Sequence, residues 1–511
     1  MPLYLKYLLA ALFGALMTMS YAPFNAWWFQ PCCLAGLFLL VDASKRSGFI
    51  FGCSFGIGWF GTGMWWVLPG MVNYSDIGWR NASLLAAVLL LYLSFFPALA
   101  TALLTGFKQF LLARRQHRWL LWCGCAAIWT LCEWLRGNMF TGLPWLATGY
   151  AQSSGPLASV AALGGVLSLS YCAALSGLIL AAAIDEAEQK SGTKNRYLAA
   201  LFLPLLYCAG SALQHKEWTQ ESGELTVRLM QGNLPQHDKF AANGLRQAIQ
   251  TYANLASDSR AELTVMPETA IPLEWHSQPA QLLEAWKRLA TVRNTTLVIG
   301  AVVSRFEQAH SVSTNSALAI MPASSRNAYD YRYDKQHLIP FGEFYPTGTL
   351  WLMHLLGPNF TSLTPGAAGQ PPLRLGGKKI GISICFEDLF DTEILDRAKD
   401  TNVLLSISNF AWFNETAAPA QHLQIAQLRA IETGRWVMQA ANSGRTAIVD
   451  QHGRIFSQLD ENTTGVLDGR VHLMRGATPF MRFGNLPLLL LCLLQIALAW
   501  WFPASLKNTP A

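Results

Sequence analysis

The stretch KKIGISICFEDLF, residues 378–390, combines a buried strand with a cluster of reactive side chains. Its first half alternates and then fills with apolar residues, a pattern typical of a strand that is covered on both faces. The strand ends at Cys385, and Glu387 and Asp388 follow it, with a helix expected to begin near Asp388. Because α/β folds build their sites at strand ends, the stretch predicts an α/β domain that presents a thiol there.

The segment around this stretch, residues 218–480, alternates short apolar strands with amphipathic helices. Such an order places helices on both faces of the sheet. LGG at 375–377 predicts a hairpin turn, and TSLTPGAAGQPP at 361–372 predicts a loop. The other predicted strands are LTVRLMQ, ELTVMPETAI, TTLVIGAVVSRF and NVLLSISNF, and the predicted helices are GLRQAIQTYANLASDSR, QLLEAWKRLATVRN and AQHLQIAQLRAIETGRWVMQAAN.

Outside this segment the chain is strongly apolar. The 511 residues are 52% hydrophobic and 13% charged, and this charged fraction is low for a soluble protein. The first apolar run has no convincing cleavage site, so we expect it to be a retained helix. The sequence predicts a membrane domain of seven transmembrane helices at 1–217, and a C-terminal transmembrane helix with a short tail at 481–511. The predicted spans are 3–22, 26–43, 48–69, 84–107, 119–136, 157–184, 196–214 and 484–503.

The loops between the predicted spans alternate in positive charge. Basic residues concentrate in the second, fourth and sixth loops, and such loops stay in the cytoplasm. This pattern predicts that both termini are cytoplasmic and that residues 218–480 lie outside, which in a bacterium is the periplasmic side of the inner membrane. It also explains the net charge of +6 without a nucleic-acid partner. The basic residues are Lys45, Arg46, Lys108, Arg114, Arg115, Arg118, Lys190, Lys194 and Arg196.

Cysteine usage sets Cys385 apart. The chain has ten cysteines, and Cys385 is the one that lies in residues 218–480. The other nine fall within predicted spans, where a thiol behaves as a small hydrophobic group. An unpaired thiol is a liability in an oxidising compartment, so its presence there indicates a nucleophile. A buried core cysteine is the alternative.

Three strand ends carry an acid, an amine and this thiol. Glu268 follows a strand in VMPETAI, and Lys335 and Glu343 flank a loop in DKQHLIPFGEF. A thiol attacks carbonyls as thiolate, so Cys385 needs a base such as Glu268 and a cation such as Lys335 to stabilise the oxyanion. Glu343 would orient Lys335 or handle a proton. The alternatives are a helix-capping carboxylate and a solvated loop lysine.

Other chemistries leave weaker signals. His337 and His422 could each serve as base to a cysteine nucleophile, although both also suit structural roles. We find neither HExxH nor CxxC pairs, nor a phosphate-binding glycine loop, so we expect no metal and no cofactor. A transporter or receptor would carry charge within its spans, for which Glu133 and Arg136 are the main candidates.

Together the motifs resemble a known superfamily. PET with Glu268, DKQHLIPFGE with Lys335 and Glu343, and CFED with Cys385 are similar, in order, to the three signature elements of the nitrilase superfamily. This resemblance implies a four-layer α-β-β-α sandwich and a Glu-Lys-Cys catalytic triad. With spans on both sides of the domain, the whole chain resembles the bacterial apolipoprotein N-acyltransferase family, and GLPWLATGY at 142–150 resembles a motif of its membrane part.

The resemblance implies a reaction and its partners. An acyl chain would pass from a phospholipid, such as phosphatidylethanolamine, through a thioester on Cys385. Its acceptor would be the α-amino group of the N-terminal diacylglyceryl-cysteine of apolipoproteins. We expect a monomer in the bilayer of the bacterial inner membrane. A membrane-anchored nitrilase-type amidase is the alternative, and a non-enzymatic receptor or transporter is a further one.

Aromatic residues complete the predicted site. Phe386 stands where many family members have tyrosine, and Phe240 where a tryptophan often occurs, so the substrate contacts at both positions differ from the family pattern. Phe386 and Glu387 would support the triad, although a plain structural role is an equal alternative for Glu387. The aromatic loops at 341–357 and 410–413 could enter the membrane interface and gate the site, or could simply pack within the domain. The predicted gating or substrate-binding residues are Phe240, Tyr345, Trp412 and Phe413.

Overall fold

The computed structural model describes ten stretches of the chain. Contacts divide the chain into two units, and the second unit includes a short segment from the N-terminal region. The described residues are 2–41, 44–75, 78–114, 118–188, 194–235, 243–307, 310–322, 328–349, 362–413 and 415–501. The first unit comprises Met1–Trp65, Ser83–Lys216 and Arg482–Ala511, and the second comprises Trp66–Ala82 and Glu217–Met481.

Each predicted span overlaps a helix in the described part of the chain, although the bounds differ. Of the described stretches, Leu3–Ser20, Trp79–Ala113 and Ala158–Asp185 are long and apolar enough to cross a membrane, and Phe29–Leu40, Ala200–Leu213 and Leu486–Trp501 are shorter apolar helices. The number of spans therefore stays a prediction. The N-terminal helices are α1 Leu3–Met17, α2 Phe29–Leu40, α3 Lys45–Gly63, α4 Val67–Ser75, α5 Trp79–Ala113, α6 Arg118–Asn138, α7 Ala161–Glu188 and α8 Lys194–Leu213.

Glycines let the backbones of α1 and α3 approach closely. A Cβ atom on Gly14 would lie 2.0 Å from the carbonyl oxygen of Phe55, and one on Gly58 would lie 1.9 Å from that of Ala11. Small residues at helix contacts are typical of membrane proteins, where packing replaces the hydrophobic effect.

The two charged residues considered as a transport pathway hold a loop in place. Glu133 accepts a hydrogen bond from the backbone N–H of Thr148 at 2.9 Å. Nη1 of Arg136 donates to the carbonyl oxygens of Leu143 and Trp145 at 2.7 and 2.8 Å. Both residues are buried and bind the segment GLPWLATGY. Their contacts therefore suit a structural role.

Within the described residues the second unit contains two six-stranded sheets. The first has the order β12-β1-β2-β3-β4-β5, with β1, β2 and β3 parallel; the second has the order β11-β10-β9-β8-β7-β6, with β7, β8 and β9 parallel. The strands are β1 Thr219–Gln231, β2 Leu263–Val265, β3 Thr296–Glu307, β4 His310–Ile320, β5 Tyr331–Asp334, β6 Leu373–Leu375, β7 Lys378–Ile384, β8 Val403–Ser408, β9 Val437–Ala441, β10 Ala447–Val449, β11 Ile455–Gln458 and β12 Gly465–Gly476.

The two sheets pack face to face and helices cover their outer faces. Side chains such as Leu229 and Ile384, one from each sheet, share the central core. Tyr252 and Trp286, from two helices, pack on the outer face of the first sheet, and further helices cover the second. These layers form an α-β-β-α sandwich, which confirms the predicted fold class. Each sheet has helices on its outer face and the other sheet on its inner face, so the expectation of helices on both faces of a sheet was wrong. The remaining helices are α9 Gly244–Ala256, α10 Ala280–Arg293, α11 Asp391–Lys399, α12 Ala418–Thr433, α13 Pro479–Phe483 and α14 Leu486–Trp501.

Several boundaries differ from the sequence prediction. The helix predicted to reach Arg260 ends at Ala256, and the strand predicted over ELTVMPETAI covers only Leu263–Val265. The long helix predicted through RWVMQAAN ends at Thr433, because Gly434 takes the left-handed conformation with φ of +59° and the following residues form β9. The helix expected near Asp388 is a 3₁₀ turn at Cys385–Leu389, and α11 begins only at Asp391. The predicted hairpin is present, since β6 pairs with β7 around Gly376.

Candidate active site

Strands of both sheets position the three predicted side chains. Glu268 follows β2 and Lys335 follows β5 in the first sheet, whereas Cys385 follows β7 in the second. The turn that carries Glu268 lies against Gly300, where a Cβ atom would be only 2.7 Å from the Cα of Glu268. The N–H of Lys335 donates to the carbonyl oxygen of Asn315 at 2.7 Å, which fixes the end of β5 against β4.

Lys335 lies between two carboxylates. Its Nζ is 2.9 Å from Oε1 of Glu343 and 3.3 Å from Oε1 of Glu268. Nδ2 of Asn315 donates to the same two oxygens, at 3.0 Å to Glu343 and 2.7 Å to Glu268. The second oxygen of Glu343 accepts from the N–H of Ile339 at 2.8 Å. All four side chains in this cluster are buried.

Charge in this cluster keeps the lysine ionised. Burial by itself lowers the pKa of Lys335, but Glu343 and then Glu268 raise it, and the net result is a pKa above the usual value. Lys335 therefore remains an ammonium ion at any pH at which the protein works.

The thiol of Cys385 has the opposite character. Burial, followed by the negative charge of Glu268, raises its pKa well above the usual value, and Lys335 only partly opposes this. The resting thiol is therefore neutral at physiological pH. An attack on a carbonyl requires a base that takes the proton during the reaction.

Cys385 occupies a strained backbone position at the strand end. Its φ of +54° lies in the left-handed region, which is uncommon for a residue other than glycine. The Nε2 atom of His422 lies 3.1 Å from its carbonyl oxygen and 3.2 Å from Oδ2 of Asp388. The hydroxyl groups of Ser383 and Ser406 donate to the same carboxylate. This buried network supports the turn below the nucleophile.

Asp388 and His422 shift each other's pKa. Burial lowers the pKa of His422, but Asp388 outweighs this and raises it above the usual value; burial raises the pKa of Asp388, but His422 outweighs this and lowers it. His422 contacts Cys385 at the backbone carbonyl oxygen. The other histidine, His337, stacks on Phe390 at 3.5 Å between ring centroids, and its Nδ1 lies 2.7 Å from Oε1 of Glu393.

Glu387 links the thiol turn to the lysine turn. One oxygen accepts from the N–H of Ile384 at 2.7 Å. The other accepts from the N–H of Gln336 and from Nη2 of Arg397, both at 2.7 Å. Phe386 is also buried, with its ring 5.3 Å from that of Phe390.

The predicted gating residues have varied positions. Phe240 lies outside the residues that the structure describes. Tyr345, Trp412 and Phe413 are all half-buried, the first after the Glu343 turn and the other two in the turn that follows β8. Since β8 is the parallel neighbour of β7, that turn begins at the sheet edge that carries Cys385.

The site offers little to a metal ion, because the ammonium of Lys335 already pairs with both carboxylates. In the described part of the chain, one cluster could hold an ion: Glu221 and Glu224 on β1 with His472 on β12. It lies on a different part of the sandwich from the strand ends that carry the triad, and its two acids are exposed.

Sequence reasoning missed Asn315 and Arg397. Asn315 stands inside the strand HSVSTNSALAI, and a polar side chain at an inward position of a buried strand is the signal that could have revealed it. Arg397 lies on α11 among several charged residues, and its ion pair with Glu387 is evident only from the structure.

Comparisons with known proteins identify similar families and relatives. Residues 13–179 match the model of the apolipoprotein N-acyltransferase N-terminal domain, and residues 226–477 match that of the carbon-nitrogen hydrolases. The chain is 37% identical over 492 residues to an apolipoprotein N-acyltransferase from Ralstonia nicotianae, covering 94% of this chain and 90% of the relative. The corresponding enzyme from Nitrosomonas europaea is 36% identical, with 94% of both chains covered.

A solved structure shows a weaker likeness. The carbon-nitrogen hydrolase from Helicobacter pylori G27 is 15% identical, with a TM-score of 0.37, and the match covers 48% of this chain and 89% of that chain.

Proposed function

This chain belongs to the apolipoprotein N-acyltransferase family, as its motifs predicted, and we propose that it transfers the acyl chain through a thioester on Cys385. The reaction class is lipoprotein N-acylation. The observation that carries the proposed chemistry is the buried ammonium of Lys335 between Glu268 and Glu343, within electrostatic reach of the Cys385 thiol.

The first half-reaction loads the enzyme. The sulfur of Cys385 attacks the ester carbonyl of a phospholipid while Glu268 takes the thiol proton, which the raised pKa of the thiol makes necessary. The carbonyl oxygen becomes an oxyanion, and the ammonium of Lys335 stabilises it. The intermediate collapses with cleavage of the ester C–O bond. Glu268 returns the proton to the leaving alkoxide, and a lysophospholipid departs.

The second half-reaction unloads it. The α-amino group of a diacylglyceryl-cysteine attacks the thioester carbonyl, again with the oxyanion beside Lys335. A carboxylate accepts one amine proton, the C–S bond breaks, and the sulfur regains a proton. Donor and acceptor occupy the site in turn, so the kinetics are ping-pong.

Glu343 and Asn315 position the groups that react. Glu343 accepts a hydrogen bond from Lys335. Asn315 donates hydrogen bonds to both Glu343 and Glu268. They keep Lys335 and Glu268 aligned while charge develops on the substrate. Phosphatidylethanolamine as donor, a monomeric enzyme and a periplasmic site in the inner membrane complete the proposal, supported by the family membership and by the loop charges.

The covalent step can be tested by intact-mass measurement of the detergent-purified chain. Incubated with phospholipid but no acceptor, the protein should gain one acyl mass, which neutral hydroxylamine removes. The mass should be absent in Cys385→Ala, and should form slowly or not at all in Glu268→Gln. Cys208→Ala, at a cysteine in a predicted span, serves as the matched control and should load normally.

The acceptor separates the enzyme from an amidase. When a diacylglyceryl-cysteine peptide is added, the acyl label should move to its amino group. Release of free fatty acid instead of acylated peptide would favour the nitrilase-type amidase. Normal transfer by Cys385→Ala would exclude the thioester altogether.

A further inference from the structure

The second unit includes a helix that precedes the residues of the sandwich by more than a hundred positions in the chain. The segment Trp66–Ala82, which contains α4, groups with residues 217–481. Trp66 is buried, and its Nε1 donates to Oε1 of Gln421 on α12 at 3.2 Å. Its ring meets the ring of Phe413 edge-on, with centroids 5.0 Å apart. The N-terminal end of α4 therefore packs beside the turn that follows β8.

Gly70 brings α4 against the same turn. A Cβ atom at this position would lie 2.1 Å from Cε1 and 2.7 Å from Cδ1 of Phe413, so the ring rests directly on the helix backbone. One turn further along, Nδ2 of Asn73 lies 3.5 Å from the carbonyl oxygen of Trp412. Glycine weakens a helix relative to alanine, and a close approach of this kind is the usual compensation.

A continuous series of contacts leads from Phe413 to the nucleophile. The N–H of Phe413 donates to the carbonyl oxygen of Phe410 at 2.8 Å. The Phe410 ring lies 4.9 Å from the ring of His422, between centroids. His422 in turn contacts the carbonyl oxygen of Cys385 at 3.1 Å. The rings of Phe413 and Phe410 are 6.4 Å apart between centroids, so Phe413 is joined to the strained turn of Cys385 through the side chains of Phe410 and His422.

We propose that Gly70 is a positioning residue for acyl transfer: it lets Phe413 seat on α4, and the seated ring holds Phe410, His422 and thereby the Cys385 turn in register. This inference rests on the proposed thioester chemistry. In this proposal Phe413 has a fixed position against α4 and does not move as a gate.

A larger side chain at position 70 should displace the ring of Phe413. Phe413 is half-buried, so its ring can move outward, whereas the α4 backbone is held by Trp66. A methyl group on residue 70 should displace the ring and leave the helix in place. Misplacement of reacting groups by about 1 Å can cost roughly a hundredfold in rate. The loading rate of Cys385 should therefore respond more than the fold does.

The test compares Gly70→Ala with Gly78→Ala in the full chain, with single-turnover loading of Cys385 from phosphatidylethanolamine as the readout. A Cβ atom on Gly78 meets nothing within 4 Å, so this variant controls for the glycine-to-alanine change. We expect Gly70→Ala to load at least about tenfold more slowly. Its kcat should fall while its KM for the donor changes little. Gly78→Ala should load like wild type, and the melting temperatures of the two variants should agree.

A double-mutant cycle identifies Phe413 as the partner. In a Phe413→Leu background the shorter side chain leaves room for the methyl group, so Gly70→Ala should have little further effect on loading. Equal slowing by Gly70→Ala in both backgrounds, or no slowing in wild type, would overturn the proposal. Should Gly70→Ala fail to fold, Phe413→Ala replaces it, with slowed loading expected and a wild-type rate contradicting the proposal. Wild-type protein that never loads would instead refute the thioester mechanism itself.

Discussion

The carboxylate of Glu387 accepts a hydrogen bond from the backbone N–H of Gln336 at 2.7 Å. Gln336 directly follows Lys335 at the end of β5, and Glu387 lies in the turn that begins at Cys385. One buried side chain therefore ties the lysine of one sheet to the thiol turn of the other. Glu387 therefore helps to set the separation of these two groups.

Glu387→Gln should destabilise the protein. The substitution puts an amide N–H₂ where a carboxylate oxygen accepts a bond, and it removes the main counter-charge of Arg397, whose side chain is only 9% exposed. Breaking a buried pair costs about 3 kcal/mol or more. A lowered midpoint in thermal unfolding of the detergent-purified chain measures this loss. Asp396→Asn, which breaks an exposed pair with Lys399 on the same helix, should change the midpoint little; equal shifts would argue against the buried linkage.

Lys335→Arg should lower acyl transfer by on the order of a hundredfold or more. The lysine side chain has no exposed surface, and the planar guanidinium does not fit the point between Glu268 and Glu343 that the ammonium occupies. Transfer of labelled acyl chains to a diacylglyceryl peptide is the measurement. Lys399→Arg is the surface control. Near-normal turnover of a folded Lys335→Arg variant would mean that the lysine only neutralises the carboxylates.

Asn315→Ala should slow transfer at least about tenfold, because Glu268 and Glu343 both lose a hydrogen-bond donor that aligns them. The backbone bond from Lys335 to residue 315 is kept, so β5 should stay paired with β4. Single-turnover loading of Cys385 reports the effect. Asn254→Ala on α9 provides a control at an exposed hydrogen bond. If both variants load alike, Asn315 has no part in positioning the carboxylates.

Alkylation of Cys385 should keep accelerating as the pH rises. Burial, and after it Glu268, hold the pKa of this thiol well above 9.0, so raising the pH increases the thiolate fraction throughout the usual working range. Iodoacetamide labelling of the peptide that contains Cys385, with glutathione as reference, measures the profile. In Lys335→Met the profile should move to still higher pH, because the ammonium lowers the thiol pKa. A plateau below about pH 8 would show a thiol more acidic than a free cysteine.

Membrane orientation can be tested with alkaline phosphatase fusions. A fusion after residue 217 should be active and one after residue 192 inactive, because the basic sixth loop is expected to stay in the cytoplasm. The opposite pattern would place the sandwich in the cytoplasm and would remove the periplasmic site from the proposal.

The local pattern of the sequence predicted an α/β domain with reactive side chains at strand ends, whereas the α-β-β-α layers were implied by the family resemblance. Strands that are apolar on both faces must be covered on both sides, but the pattern does not say whether a helix or a second sheet covers them. Glu268 and Cys385 each follow a strand of this kind, whereas Lys335 follows the short polar strand β5, and the three residues come from two different sheets. The same reasoning failed at Gly434, where a helical pattern of apolar residues continued into a strand. Periodicity over a short buried run does not separate the two structures.

The tertiary structure alone decided which groups meet at the candidate site and around it. Glu387 meets Gln336, Asn315 meets Glu268, and Gly70 meets Phe413 across large separations in sequence. Hydrophobic periodicity reports which face of an element is buried, but it carries no information on the strand register or on which element lies opposite. Hydrogen bonds and close packing act over a few ångströms, so their partners are specified only once the two sheets and α4 are packed together.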